Sequence, residues 1–174
     1  MLSDFNILAS TTRGNERELR YELSYLFKEA GDNDVKTDKT GIKGLVVAKT
    51  AFNPSEMIEK LQQILHEKPY EFRYALRIIP IEKVVLTNLK EIETAGAELT
   101  ARLNIEETFR VTVEKRFTNI HSREIIEAVA ANTQNKVNLK NPDKILLIEV
   151  LGGLAGISLI KPKHIINVLK EKML

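Results

Sequence analysis

The stretch Glu107–Phe117 (ETFRVTVEKRF) constrains the fold of this chain more than any other. Phe109, Val111 and Val113 alternate with Thr108, Arg110, Thr112 and Glu114. A period of two puts successive side chains on opposite faces, so the segment predicts a strand with one face buried. The strand ends on Lys115-Arg116, and Phe117–Ser122 predicts a loop into a helix with Ile125, Ile126, Val129 and Ala130 on its buried side. Asn138–Asp143 reads as a turn, and the apolar runs Ile145–Leu151 and Gly156–Ile160 flank a Gly152-Gly153 hairpin turn.

Upstream, Phe5–Ser10 predicts a short strand. A helix follows with Leu19, Leu23, Leu26, Phe27 and Ala30 on one face, stopped at Gly31. A weak strand at Val35–Thr37 and a stronger one at Ile42–Ala48 come next. Asn53-Pro54 predicts a helix start, because Asn53 caps and Pro54 occupies the first helical position, where no N–H is needed. Phe72, Tyr74, Leu76 and Ile78 then alternate with Arg73, Ala75 and Arg77, predicting a fourth strand ended by Pro80. The order is β-α-β-β-α-β, a ferredoxin-like arrangement. Ile81–Leu86 reads as a connector and Asn88–Arg102 as a helix; Ile165, Ile166, Val168 and Leu169 mark a short amphipathic end.

Composition removes function classes rather than selecting one. With no cysteine, thiolate zinc sites and cysteine nucleophiles are excluded. His66, His121 and His164 are scattered, without a second ligand at metal spacing. Asp32, Asp34 and Asp38 approach a calcium-loop spacing, but Lys36 and Thr37 stand where that loop needs a ligand and a glycine. No Walker motif, nucleophile elbow or dinucleotide fingerprint occurs, so no catalytic residue, cofactor or metal is expected. No apolar run approaches the ~18 residues of a membrane span, and Met1-Leu2-Ser3-Asp4 lacks a signal-peptide pattern, which predicts a soluble cytoplasmic protein. Net charge is only +2. Residues 108–140, however, carry six basic against three acidic side chains, a local excess that suits a phosphate-binding surface.

The segments ETFRVTVEKRF, HSREIIEAVAANTQ, VNLKNPDKILLIEV and GISLI together resemble the THUMP domain of tRNA-modifying proteins over about residues 82–161. The resemblance implies an α+β chain in which an N-terminal ferredoxin-like domain (1–80) packs against a C-terminal α/β THUMP domain (81–174). Arg77-Ile78-Ile79-Pro80, leading directly into the second domain, is similar to the stand-alone branch of the family. That branch implies a non-catalytic adaptor. Its two domains hold the acceptor end of tRNA and present it to a separate RNA cytidine acetyltransferase, which makes 4-acetylcytidine. The alternatives are an RNA-binding subunit for another tRNA-modification enzyme (thiolation or methylation) and a metabolite-binding regulatory ferredoxin-like protein.

On that resemblance, Lys115 and Arg116 are the first candidates for phosphate contact, against the plain reading of a solvated strand end. Both are expected to tolerate alanine without unfolding. Arg123, a cation opposing its own helix dipole, joins them unless it merely pairs with Glu127 at i+4. Arg110, on the same strand, belongs to this basic set. Lys161 and Lys163 extend the patch or form a basic tail, and Arg13 and Arg77 are candidates for contact from the first domain. Phe117, just past the strand, is the candidate base-stacking residue.

Overall fold

The computed structural model describes residues 1–174. They form two compact units, residues 1–81 with 163–174, and residues 82–162. In the first, β1 (Ile7–Ser10), α1 (Glu16–Glu29), β2 (Lys36–Lys39), β3 (Leu45–Lys49), α2 (Pro54–Glu67) and β4 (Arg77–Pro80) follow in chain order. The sheet order β2-β3-β1-β4, antiparallel throughout, is ferredoxin-like, as the element order predicts. Leu19, Leu23, Leu26 and Phe27 of α1 and Met57, Ile58, Leu61 and Leu65 of α2 bury their apolar stripes on Ile7, Ala9, Val46, Ala48 and Ile78. The Asn53 side chain accepts the Glu56 N–H at 3.2 Å, so α2 starts as its capping residue dictates.

The fourth strand begins at Arg77 rather than near Phe72. Glu22, on the buried side of α1, is the reason. Its carboxylate accepts the N–H groups of Arg73 (2.7 Å), Tyr74 (3.0 Å) and Ala75 (2.8 Å). Donors satisfied by a side chain are not offered to a sheet ladder, so the expected alternation gives way to an irregular segment after a short 3-10 turn at Pro69–Glu71. β3 likewise starts only at Leu45, because Gly41 and Gly44 at positive φ hold the preceding residues in a turn.

The second unit contains β5 (Lys83–Leu86), α3 (Leu89–Thr100), β6 (Phe109–Arg116), α4 (Ser122–Ala130), β7 (Lys144–Leu151) and β8 (Leu154–Ile160). Its sheet order is β5-β8-β7-β6. The residues expected as a connector therefore supply an edge strand. β6 and β7 are parallel, from Phe109 opposite Lys144 to Arg116 opposite Leu151, whereas β8 is antiparallel to both β7 and β5. Gly152 makes the β7–β8 turn at φ +65°, a conformation glycine adopts without strain. Ile92, Ala95 and Leu99 of α3 and Ile125 and Val129 of α4 pack with Leu146, Ile148, Val150 and Ile157. Ile126, expected in this core, is exposed, and Ala130 is only half-buried.

The last twelve residues depart from the expected division at 80/81, which placed them with the second domain. They belong to the first unit. β9 (Ile166–Asn167) adds to β4 as a fifth strand, and α5 (Val168–Lys172) follows it. Ile166 and Val168 are buried in the first core, and Lys172 Nζ donates to the Phe72 carbonyl at 2.6 Å. The apolar pair at the end of the chain has found cover on the edge that β4 would otherwise expose.

Candidate nucleic-acid interface

Because β5, β6 and β7 run in one direction, their C-terminal ends gather at one end of the second sheet. The Gly152–Gly153 turn and the N-termini of α3 and α4 lie at that same end. Helix N-termini leave N–H groups pointing outward and carry partial positive charge, so an anion is favoured there. Ligands of α/β sheets characteristically bind outside the carboxyl ends of parallel strands.

Four of the expected residues meet at this end. Lys115 is exposed, and its Nζ donates to the Ile120 carbonyl at 3.0 Å, bridging the base of the loop into α4. That loop is closed further by two bonds. The Ile120 N–H reaches Thr118 Oγ1 at 3.3 Å, and the His121 N–H reaches Glu124 at 3.0 Å. Phe117 holds φ +57°, the one non-glycine residue at positive φ, with its ring 80% exposed. Arg123 projects from the first turn of α4 and pairs with Glu127 at 3.1 Å, the bland arrangement its i+4 spacing allows.

Arg116 is placed differently from the solvated cation expected. Its Nη1 donates to Glu149 at 2.6 Å, and the Glu149 side chain is fully buried. Burying a carboxylate costs several kcal/mol unless a cation and hydrogen bonds offset it. Arg116 thus braces the β6–β7 pair, and Lys115 is left as the cation this strand end presents to solvent. Sequence reasoning missed Glu149, although a lone acid inside Ile145–Leu151 signals a buried partner for a nearby cation.

The remaining candidates are not gathered here. Arg110 lies six residues before Arg116 on β6, roughly 20 Å along the strand, with Nη1 on the Leu139 carbonyl at 2.9 Å. Lys161, just after β8, is at that opposite end and exposed. Lys163, Arg13 and Arg77 belong to the first unit. Lys163 pairs with Glu59 at 3.4 Å, Arg13 sits in the exposed turn before α1, and Arg77 is half-buried in β4. His164 and Lys163 together hold the Glu59 carboxyl below the ordinary carboxylate range. Lys144, at the start of β7, does the same to Glu107, with the Asn104 N–H as a second donor. Neither pair leaves the unmet charge of a catalytic acid or base, and no three His, Asp or Glu side chains meet at metal-binding spacing. A groove of about 500 Å³ beside β5 and α3 is lined by Lys83, Lys90, Glu91 and Glu98 as well as Val84 and Val85. Its mixed charges, with Lys83 paired to Glu98, are not the apolar pocket a small metabolite would need.

Residues 87–160, which include α3, the β6–α4–β7 unit and the β7–β8 turn, match the THUMP domain. The second unit thus carries a THUMP domain. The chain is 24% identical over 168 residues to mouse THUMP domain-containing protein 1, covering 85% of this chain and 48% of the relative. It spans about half the length of the curated mammalian relatives it matches. A protein of known structure from Pyrococcus horikoshii superposes on 90% of this chain and 55% of its own at a TM-score of 0.61 and 19% identity. A 4-thiouridine synthetase solved in complex with RNA and ATP gives 0.55 at 16% identity, covering 91% of this chain and 42% of that one. These structural likenesses establish the fold: a ferredoxin-like sheet followed by a THUMP domain. A THUMP domain implies tRNA binding associated with tRNA modification. No helix is long and apolar enough to cross a membrane.

Proposed function

We propose that this chain is a non-catalytic tRNA-binding adaptor that presents tRNA to a separate cytoplasmic RNA cytidine acetyltransferase, which forms 4-acetylcytidine. One observation carries the reading. An exposed aromatic ring, Phe117, stands in a left-handed backbone conformation beside an exposed lysine, Lys115, at the mouth of α4. Such a corner offers what an RNA end requires: a flat surface for an unstacked base, a cation for phosphate and helix N–H groups. Arg123 adds a second cation at the cost of its pair with Glu127. Arg116 acts through Glu149, holding the corner in shape. Arg110 and Lys161, at the far end of the sheet, would meet phosphates further along the same RNA, and Arg13, Arg77 and Lys163 serve the first unit in the same way. The match of residues 87–160 to the THUMP domain supports the tRNA-binding half of this reading.

Nucleoside composition of tRNA tests this reading. In cells lacking the chain, 4-acetylcytidine should fall to background and return with the parent chain but not with a Lys115→Ala/Phe117→Ala variant. Unchanged 4-acetylcytidine contradicts the acetyltransferase assignment. Loss of a thiolated or methylated nucleoside in its place redirects the adaptor to another modification enzyme.

A further inference from the structure

The outward face of α1 carries a cluster that the sequence does not flag. Arg17, Arg20, Tyr21 and Ser24 fall at i, i+3, i+4 and i+7, which stacks them on one side of the helix. With Thr37 of β2 they line a groove of about 360 Å³. Two guanidinium groups, a phenol and two hydroxyl-bearing side chains make up this wall, and none of its residues is acidic.

The cluster is pre-arranged rather than merely basic. Arg20 is anchored by Thr37, with Nε on Oγ1 at 3.3 Å and Nη2 on the carbonyl at 3.2 Å. Two such bonds leave further N–H donors of a guanidinium unused. Arg17 lies 5.6 Å from the Tyr21 ring centroid and donates to its hydroxyl at 3.4 Å. Stacked in this way, an arginine keeps its charge while losing less side-chain freedom when a ligand arrives. Tyr21 remains 63% exposed. Two carboxylates act on the arginines from outside the wall, Asp38 on Arg20 and Glu18 on Arg17. Asp38 is already occupied by the N-terminal ammonium at 3.3 Å and the Lys39 N–H at 2.9 Å.

We propose that the groove formed by Arg17, Arg20, Tyr21, Ser24 and Thr37 binds a nucleotide phosphate of an RNA strand, with the adjoining base stacked on Tyr21. The inference rests on the tRNA-binding reading above and adds a contact on the first unit. Charge selects the ligand class. Two fixed guanidiniums favour a doubly hydrogen-bonded oxyanion, and the exposed ring beside them favours a flat partner attached to it. A phosphorylated nucleoside is the ligand that carries both. It belongs to an RNA strand or to a free nucleotide.

The test uses the full chain in three forms: the parent, an Arg17→Gln/Arg20→Gln/Tyr21→Leu variant, and the Lys115→Ala variant. The glutamines keep a polar, hydrogen-bonding side chain without charge, and circular dichroism with thermal melting checks that each form is folded. Affinity for total tRNA is measured across salt concentration, and 5′-AMP is titrated separately while the tyrosine ring and arginine side-chain NMR signals are followed. The groove variant should bind tRNA about tenfold more weakly, with a salt slope shallower by about one to two. A groove variant that binds like the parent, while Lys115→Ala is weakened, overturns the groove and leaves the tRNA reading standing. Saturable 5′-AMP shifts without any change in tRNA affinity assign the groove to a free nucleotide and overturn the RNA contact. A parent that binds no tRNA at low salt overturns both readings.

Discussion

Phe117 occupies backbone space that a bulky side chain visits at a cost of order 1–3 kcal/mol, and it presents its ring to water besides. Neither feature helps the fold. Substituting glycine removes both at once, so Phe117→Gly should leave the melting temperature unchanged or higher while weakening tRNA binding by about fivefold to about 150-fold, the range expected for one lost base stack. Thermal melting and a tRNA titration read the two effects separately. Arg116 behaves in the opposite sense. Arg116→Ala withdraws the cation from a buried Glu149 and should cost about 3 kcal/mol in urea unfolding, whatever it does to RNA. Lys115 and Arg116, adjacent in sequence, thus separate into an exposed cation and a brace.

Glu107 adds a pH dependence at the same scale. Lys144 lowers its folded pKa below the unfolded value, so the stabilisation is complete above about pH 4.5 and disappears as pH falls through the folded value. The parent should therefore lose more melting temperature between pH 6 and pH 3 than Glu107→Gln does, which thermal melts across that range (about pH 3 to about pH 6) would record.

Among the elements, the irregular segment before β4 depends on one side chain. Glu22→Leu removes the acceptor of three backbone N–H groups and should destabilise the chain by about 3 kcal/mol, measured by urea unfolding. The segment shows where sequence patterning stops being informative. Helix α1 with its stop at Gly31, α2 with its Asn53 cap, and β6 are legible because each is governed by residues within one or two turns of itself. Phe72–Ile78 also alternates, but an acid fifty residues upstream decides its structure. Ile81–Leu86 reads as a connector in sequence because a four-residue edge strand is too short to show a period, and its partner β8 lies about seventy residues on. The parallel pairing of β6 with β7 is a property of the sheet and leaves no local mark.

At the scale of the molecule, the chain leaves its first unit at Ile81 and returns to it at Lys163, so that β9 and Val168 complete a core begun at Ile7. The candidate site was legible in part. Lys115, Phe117 and Arg123 were found from the strand and the helix that follows it, and they do converge. Arg110 and Lys161 were placed beside them because spacing in sequence says nothing about which end of a sheet a residue occupies. Arg17, Arg20 and Tyr21 were passed over because a charged face of an amphipathic helix is ordinary until β2 is seen to anchor it.

A net charge of only +2 means that long-range attraction to RNA is weak, so affinity must come from a few local contacts. The direct test is the equilibrium affinity of the parent chain for total tRNA, by fluorescence anisotropy, from about 50 to about 300 mM salt. Binding at low salt should weaken with a log–log slope near −3, as expected for roughly four phosphates, and a Lys115→Ala/Phe117→Gly variant should bind more weakly at every salt concentration. Absence of binding at low salt, or binding indifferent to salt, would contradict the account.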